Sequence, residues 1–207
     1  MLLDILTLLS LLLMMLQLRR LVSIFPSMMA CLVRGKESFN LEASVKLSIQ
    51  RDSIALSLII PFCLIATRFH LYDLSILDNM SEDMRLLSVI GIFLTYILVR
   101  YLVYILMRPQ RIPKKTYRTA GKAAHTFLII LTLALLATDG ISSIINMEDA
   151  VIKSAMLWIS AIIYLVFLIR KIEIFASSCS IFTAFLYLCA LEIIPTGTLL
   201  VPAIIFS

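Results

Sequence analysis

Four ionisable residues, Arg68, Arg100, Asp139 and Glu192, stand inside long apolar stretches of the chain. A charged side chain at mid-depth in a bilayer costs at least about 2.5–3.5 kcal/mol, so such residues mark packing partners, solute sites or proton relays. The segment boundaries derived below put Arg68 near the outer end of the second span, Asp139 in the outer third of the fourth and Glu192 in the outer third of the sixth. At that shared level one cation could meet two carboxylates, and Arg68, Asp139 and Glu192 are the predicted intramembrane polar cluster. Counting back by fours from Glu192 gives Leu188, Ala184, Ser180 and Ala176, a mostly small helix face on which neighbours pack closely. Ala134, Thr138 and Ser142 make a similar stripe beside Asp139. Spans four and six are expected to pack through these faces near Arg68. The cluster reads as a structural ion pair, for which Arg68→Ala should lower thermal stability, as a solute or proton site, or as Asp139 or Glu192 simply reaching the interface.

A second set lies on the third span, where Tyr96, Arg100, Tyr104 and Arg108 recur every four residues and share a face. It reads as an anion or lipid-headgroup contact with aromatic walls and cation–π support. The plainer alternative is an arginine snorkelling toward the interface beside tyrosines. Catalytic signatures are missing. There is no HExxH, no P-loop, no GxGxxG, and no Gly-x-Ser nucleophile with a histidine at matching depth. His70 and His125 fall near opposite faces and cannot share a site. Cys31, Cys63, Cys179 and Cys189 include no CxxC pair and read as small apolar thiols. No catalytic residue, metal or cofactor is predicted, and Asn79-Met-Ser81 is too short a sequon to carry weight.

The elements that hold these residues follow from hydropathy. The chain has 207 residues, 61% of them hydrophobic and 15% charged, with a mean hydropathy of +1.04. A soluble domain has about a quarter of its residues charged. Crossing a hydrocarbon core of roughly 30 Å takes about 20 apolar residues, and such runs occur near 1–18, 53–71, 86–107, 123–145, 150–169 and 174–194. The first has Arg19-Arg20 after it and no basic residue before it, the reverse of a signal peptide. Residues 21–51 read as interfacial: a short run broken by Pro26, then an amphipathic polar stretch. The expected fold is one all-α membrane domain over 1–207, a polytopic transmembrane helix bundle of about six spans, or five if 1–18 does not cross. Pro61 should kink the second span, and Pro195 with Gly197 should end the sixth.

The net charge of +5 gives a pI near 9.1, but the cations gather on one predicted side rather than in a nucleic-acid patch. Arg108, Arg111, Lys114, Lys115, Arg118 and Lys122 share one loop with no acidic residue among them. Loops after spans one, three and five are basic, and those after two and four mainly acidic. The positive-inside rule then places both termini on the outer side.

The run Phe185-Leu-Tyr-Leu-Cys-Ala-Leu-Glu-Ile-Ile-Pro195 and the juxtamembrane stretch Arg34 to Asn40 resemble an uncharacterised family of small polytopic inner-membrane proteins of the Bacteroidota, a domain of unknown function. The resemblance implies a bacterial cytoplasmic membrane, several helices and no assigned chemistry. The function expected is a non-enzymatic accessory or scaffold subunit of a cell-envelope complex. Its partners would be the lipid bilayer and a membrane-protein partner or a second copy, with no nucleic acid. The alternative is a small-solute or ion-coupled transporter using Arg68, Asp139 and Glu192. A lipid-modifying enzyme working through Arg100 and the tyrosines is the weakest of the three.

Overall fold

A computed structural model of the chain describes residues 2–71, 81–107, 112–145 and 147–197. Arg108 and Arg111 of the basic loop, Asp73, Asp78 and Asn79 of the acidic loop, and the tail 198–207 lie outside these residues. The elements are α1 (Leu2–Val33), α2 (Glu37–Ala43), α3 (Val45–Ser57), α4 (Ile59–Arg68), α5 (Glu82–Leu106), α6 (Lys114–Ile145), α7 (Asp149–Ala176) and α8 (Ile181–Leu188). Helix α8 runs on through a π-helical turn, Cys189–Ile193, to Gly197. No strand occurs among the described residues, and the architecture is the all-α bundle that the hydropathy pattern implied. Five segments are long and apolar enough to cross a membrane: Leu3–Val33, Val45–Arg68, Glu82–Leu106, Lys114–Ile145 and Asp149–Ala176. Ile181–Gly197 is a shorter apolar helix.

Helix α3 starts at Val45 rather than 53, within the expected interfacial stretch, and α6 at Lys114 rather than 123, so Lys114, Lys115, Arg118 and Lys122 stand on a helix and not in a loop. Three further boundaries differ, each for a local reason. Helix α1 continues through Arg19, Arg20 and Pro26 to Val33, so 21–33 is not a separate interfacial segment. Arginine is a good helix former, and both arginines point outward. Beyond them Ile24, Met28 and Cys31 repeat at helical spacing and are buried, and that packing supports the turn that Pro26 deprives of a backbone bond. The second apolar stretch breaks at Leu58, before Pro61, whose ring crowds the carbonyl four residues back. The third difference matters most for function. Helix α7 does not stop at Ile169 but runs to Ala176, and α8 begins at Ile181 instead of 174.

Helices α6 and α7 form the central hairpin, joined by a short turn. Helix α1 is strapped to the end of α7: Arg170 Nε donates to the Leu32 carbonyl at 2.8 Å, and Gly35 N–H donates to Glu173 Oε2 at 3.3 Å. At the other end Leu3 N–H reaches Asp83 Oδ1 at 3.2 Å, setting the start of α1 beside that of α5. Helix α4 packs on α5, α8 on α7, and the π turn on α5. Thr67, Thr95, Thr132, Thr138 and Ser160 each donate to the carbonyl four residues back, so their hydroxyls are satisfied within their own helices. That is the arrangement a hydrocarbon surround requires.

Candidate functional site

Glu192 sits on the π turn and is 1% exposed. A π turn inserts an extra residue into an α-helix and is used often at functional sites; here it directs Glu192 toward α5 and α7. Arg100 of α5 donates to Glu192 Oε1 from Nη2 at 2.7 Å and from Nε at 3.2 Å. Tyr104, one turn along α5, donates its hydroxyl to the same oxygen at 3.4 Å. Lys171 of α7, fully buried, also donates to Oε1. Its ammonium lies 4.7 Å from the centre of the Tyr104 ring and 5.3 Å from that of Phe167, so aromatic faces enclose it. All four donors converge on Oε1, and Oε2 is buried without a partner. Beside the carboxylate, Thr196 donates to the Glu192 carbonyl at 2.6 Å, accepts from the Tyr164 hydroxyl at 3.1 Å and shares a 3.4 Å bond with that of Tyr96. Two cations thus face one carboxylate. With both bases protonated the group carries one positive charge in excess, in surroundings where an unmatched charge is costly.

Against this group opens a cavity of about 280 Å³, walled by residues of α3, α4, α5, α6 and α7. Arg100, Glu192, Tyr96 and Tyr164 line one part of it, Asp52 and His125 another, and Phe62, Phe93, Leu128, Leu131 and Ile163 much of the remainder. Asp52 belongs to a second charged network at the basic end of the bundle. Arg51, 2% exposed, contacts Glu42 Oε2 at 3.0 Å and Asp52 Oδ1 at 2.8 Å. Lys122 reaches Asp52 at 2.9 Å, Glu42 at 3.3 Å and the Ser48 hydroxyl at 3.0 Å. Arg118 adds a 3.0 Å contact to Glu42, and His125 Nδ1 lies 2.9 Å from Asp52.

Residues 4–200 match the family described as Domain of unknown function (DUF4271). The chain belongs to this family. No curated protein and no solved structure matches it. In this DUF4271 member, then, the site has to be read from its own chemistry.

The structure divides the residues that the sequence grouped. Arg68 Nη1 and Asp139 Oδ1 are 3.7 Å apart, but Glu192 is not with them; it is held by Arg100, Lys171 and Tyr104. The reason is the displaced turn. Starting α8 seven residues later than expected removes roughly 10 Å of depth at 1.5 Å per residue, which lowers Glu192 to the level of Arg100. The Arg68–Asp139 pair is open, with the arginine side chain 70% exposed. Exposed pairs contribute about 0–1 kcal/mol, so in detergent Arg68→Ala is expected to lower stability by less than about 1 kcal/mol; thermal melts check this, and a larger loss would restore that pair to a structural role.

The α5 set fares differently. Tyr96, Arg100 and Tyr104 do share a face and all reach the Glu192 group, while Arg108 lies outside the described residues. Lys171 falls between the expected spans 150–169 and 174–194, where the sequence implies a connecting turn, whereas α7 carries it into the Glu192 group. A signal was present: Phe167, Lys171, Ile174 and Phe175 follow helical spacing, and all four are buried. The sequence places Arg51 at the end of the interfacial stretch 21–51 and gives Asp52 no role, yet both join the network beneath the cavity.

Proposed function

We propose that this is a non-enzymatic integral membrane protein that binds an anionic solute inside its helix bundle and acts as its carrier. The observation that carries the reading is the convergence of two basic side chains, Arg100 and the buried Lys171, on the single carboxylate of Glu192, with Arg100 and Glu192 at the wall of the cavity. An uncompensated buried cation is expensive, and an anion beside Arg100 would remove that cost. The site moves accordingly from Arg68, Asp139 and Glu192 to Arg100, Lys171 and Glu192. Those three groups supply charge and hydrogen bonds but no nucleophile–base pair, which favours binding over catalysis. The basic loop and the alternation of loop charge support a bacterial cytoplasmic membrane, with the basic end of the bundle inward and both termini outward.

The test is thermal unfolding of the purified protein at constant ionic strength with the anion varied among chloride, phosphate, acetate and longer carboxylates. A ligand at 100 times its Kd stabilises by about 2.7 kcal/mol, and for a chain of this size that raises Tm by roughly 5–10 °C. At least one anion should do so for the wild type and fail for Arg100→Gln. A flat response across the series would overturn the reading.

A second reading, the accessory subunit, rests on α1. Between residues 3 and 16 only Ser10 is buried, while Leu8, Leu11, Leu12, Met15 and Leu16 face outward. Such a helix can bind a neighbouring membrane protein. Tagged protein purified in mild detergent should then retain a partner in near-equal amount, and a clean particle of this chain alone would remove the subunit reading.

A further inference from the structure

We infer that the cavity accepts a single-chain amphiphile, with an anionic head at Arg100 and a hydrocarbon tail leaving the bundle sideways between α3 and α5. This rests on the anion-binding reading above and adds the class of ligand and its route.

The head position follows from how the donors are committed. The Lys171 ammonium is enclosed by Glu192, Tyr104 and Phe167 and has no open side. Arg100 gives Nε and Nη2 to Glu192 Oε1, which leaves Nη1 for an incoming anionic oxygen. Its side chain is 17% exposed, so a ligand can reach it. A head that also carries a hydroxyl could donate to Glu192 Oε2, the buried acceptor with no partner.

The tail follows from the walls and the opening. Away from the charges the lining is Phe62, Phe93, Leu128, Leu131 and Ile163, which offers a polar solute nothing. The exposed apolar lining residues are Leu56, on α3, and Ile97, on α5, at 72% and 37%, while at the charged end the His125 side chain is 45% exposed. Leu56 and Ile97 both belong to segments long and apolar enough to cross a membrane. The opening they flank therefore faces acyl chains, and a fully hydrophilic anion would have to pass through hydrocarbon to use it. Pockets for drug-sized ligands measure about 300–1,000 Å³. At about 280 Å³ the cavity has room for one chain and its head, not for a two-chain lipid.

The experiment uses the full-length protein in phosphatidylcholine nanodiscs, titrated calorimetrically with dodecanoate, acetate or dodecyltrimethylammonium. Dodecanoate should bind once per chain and at least tenfold more tightly than acetate, and the cationic surfactant should not compete. Arg100→Gln should weaken dodecanoate at least tenfold. Ile97→Trp, a lipid-facing change outside the charged group, should do the same by closing the opening, and it keeps the test valid if Arg100→Gln fails to fold. Acetate binding as tightly as dodecanoate, or dodecanoate binding unaffected by Ile97→Trp, would overturn the amphiphile while leaving the anion site standing. Loss of dodecanoate binding in discs containing phosphatidylglycerol would mean that a two-chain lipid fills the site, and would overturn the single-chain inference. Binding of no anion at all would overturn both this inference and the proposed function.

Discussion

Glu192→Ala is expected to destabilise the protein by about 3–5 kcal/mol, the usual cost of removing one partner from a buried charge group. Its carboxylate is the acceptor for Lys171, Arg100 and Tyr104 together. Without it, a fully buried ammonium and a mostly buried guanidinium face each other with no counter-charge. At about 2–4 °C per kcal/mol the melting temperature should fall by roughly 6–20 °C. Lys171→Met should behave in the opposite way. It leaves Arg100 and Glu192 as a balanced pair and fills the space between Tyr104 and Phe167 with an apolar chain of similar length, a replacement that is often neutral or stabilising. Lys171→Met should therefore keep its Tm while losing the excess charge that attracts an anion, separating stability from binding. Melts of both variants, with and without dodecanoate, check this. Equal losses of Tm in the two would show that the Lys171 ammonium is itself needed to balance the group, and would overturn the excess-charge reading.

The same residue shows where sequence reasoning runs out. Hydropathy located the apolar segments because each needs many consecutive residues, and the sum survives errors at single positions. The face of Glu192 was also legible: Ala184, Leu188 and Glu192 share helical spacing, and all three are buried. The depth of Glu192 was not. It depended on where one turn falls, and Arg170, Lys171 and Glu173 look like a polar connection when polarity alone is counted. Their helical continuation is visible only because Ile174 and Phe175 complete a buried stripe with Phe167. A seven-residue shift of that turn exchanged the partners of Glu192 entirely. Arg19, Arg20 and Pro26 misled in a similar manner, since each is a local stop signal and tertiary packing of Ile24, Met28 and Cys31 overrode them. The face Tyr96, Arg100 and Tyr104 was recoverable because it lies within one unbroken helix, where spacing alone determines which residues stand together.

Arg51→Met carries the second large effect, and its size depends on how many partners remain. Arg51 is almost wholly buried and bridges Glu42 to Asp52, joining α2 to α3 at the floor of the cavity. Unlike Glu192, each carboxylate it leaves behind has other cations. Glu42 keeps Arg118 and Lys122, and Asp52 keeps Lys122 together with a 2.9 Å contact to His125 Nδ1. The single variant should therefore lose about 2–3 kcal/mol, below the full penalty for an orphaned buried charge. Lys122 is the common reserve, serving both carboxylates. Combining Arg51→Met with Lys122→Met should then cost more than the two single changes added, with a coupling of about 1–3 kcal/mol, because Glu42 is left only the exposed Arg118 and Asp52 only His125. Denaturant or thermal unfolding of the two singles and the double closes the cycle. Additivity to within about 0.5 kcal/mol would mean that the six side chains act as separate pairs, and that the floor of the cavity does not depend on the network as a unit.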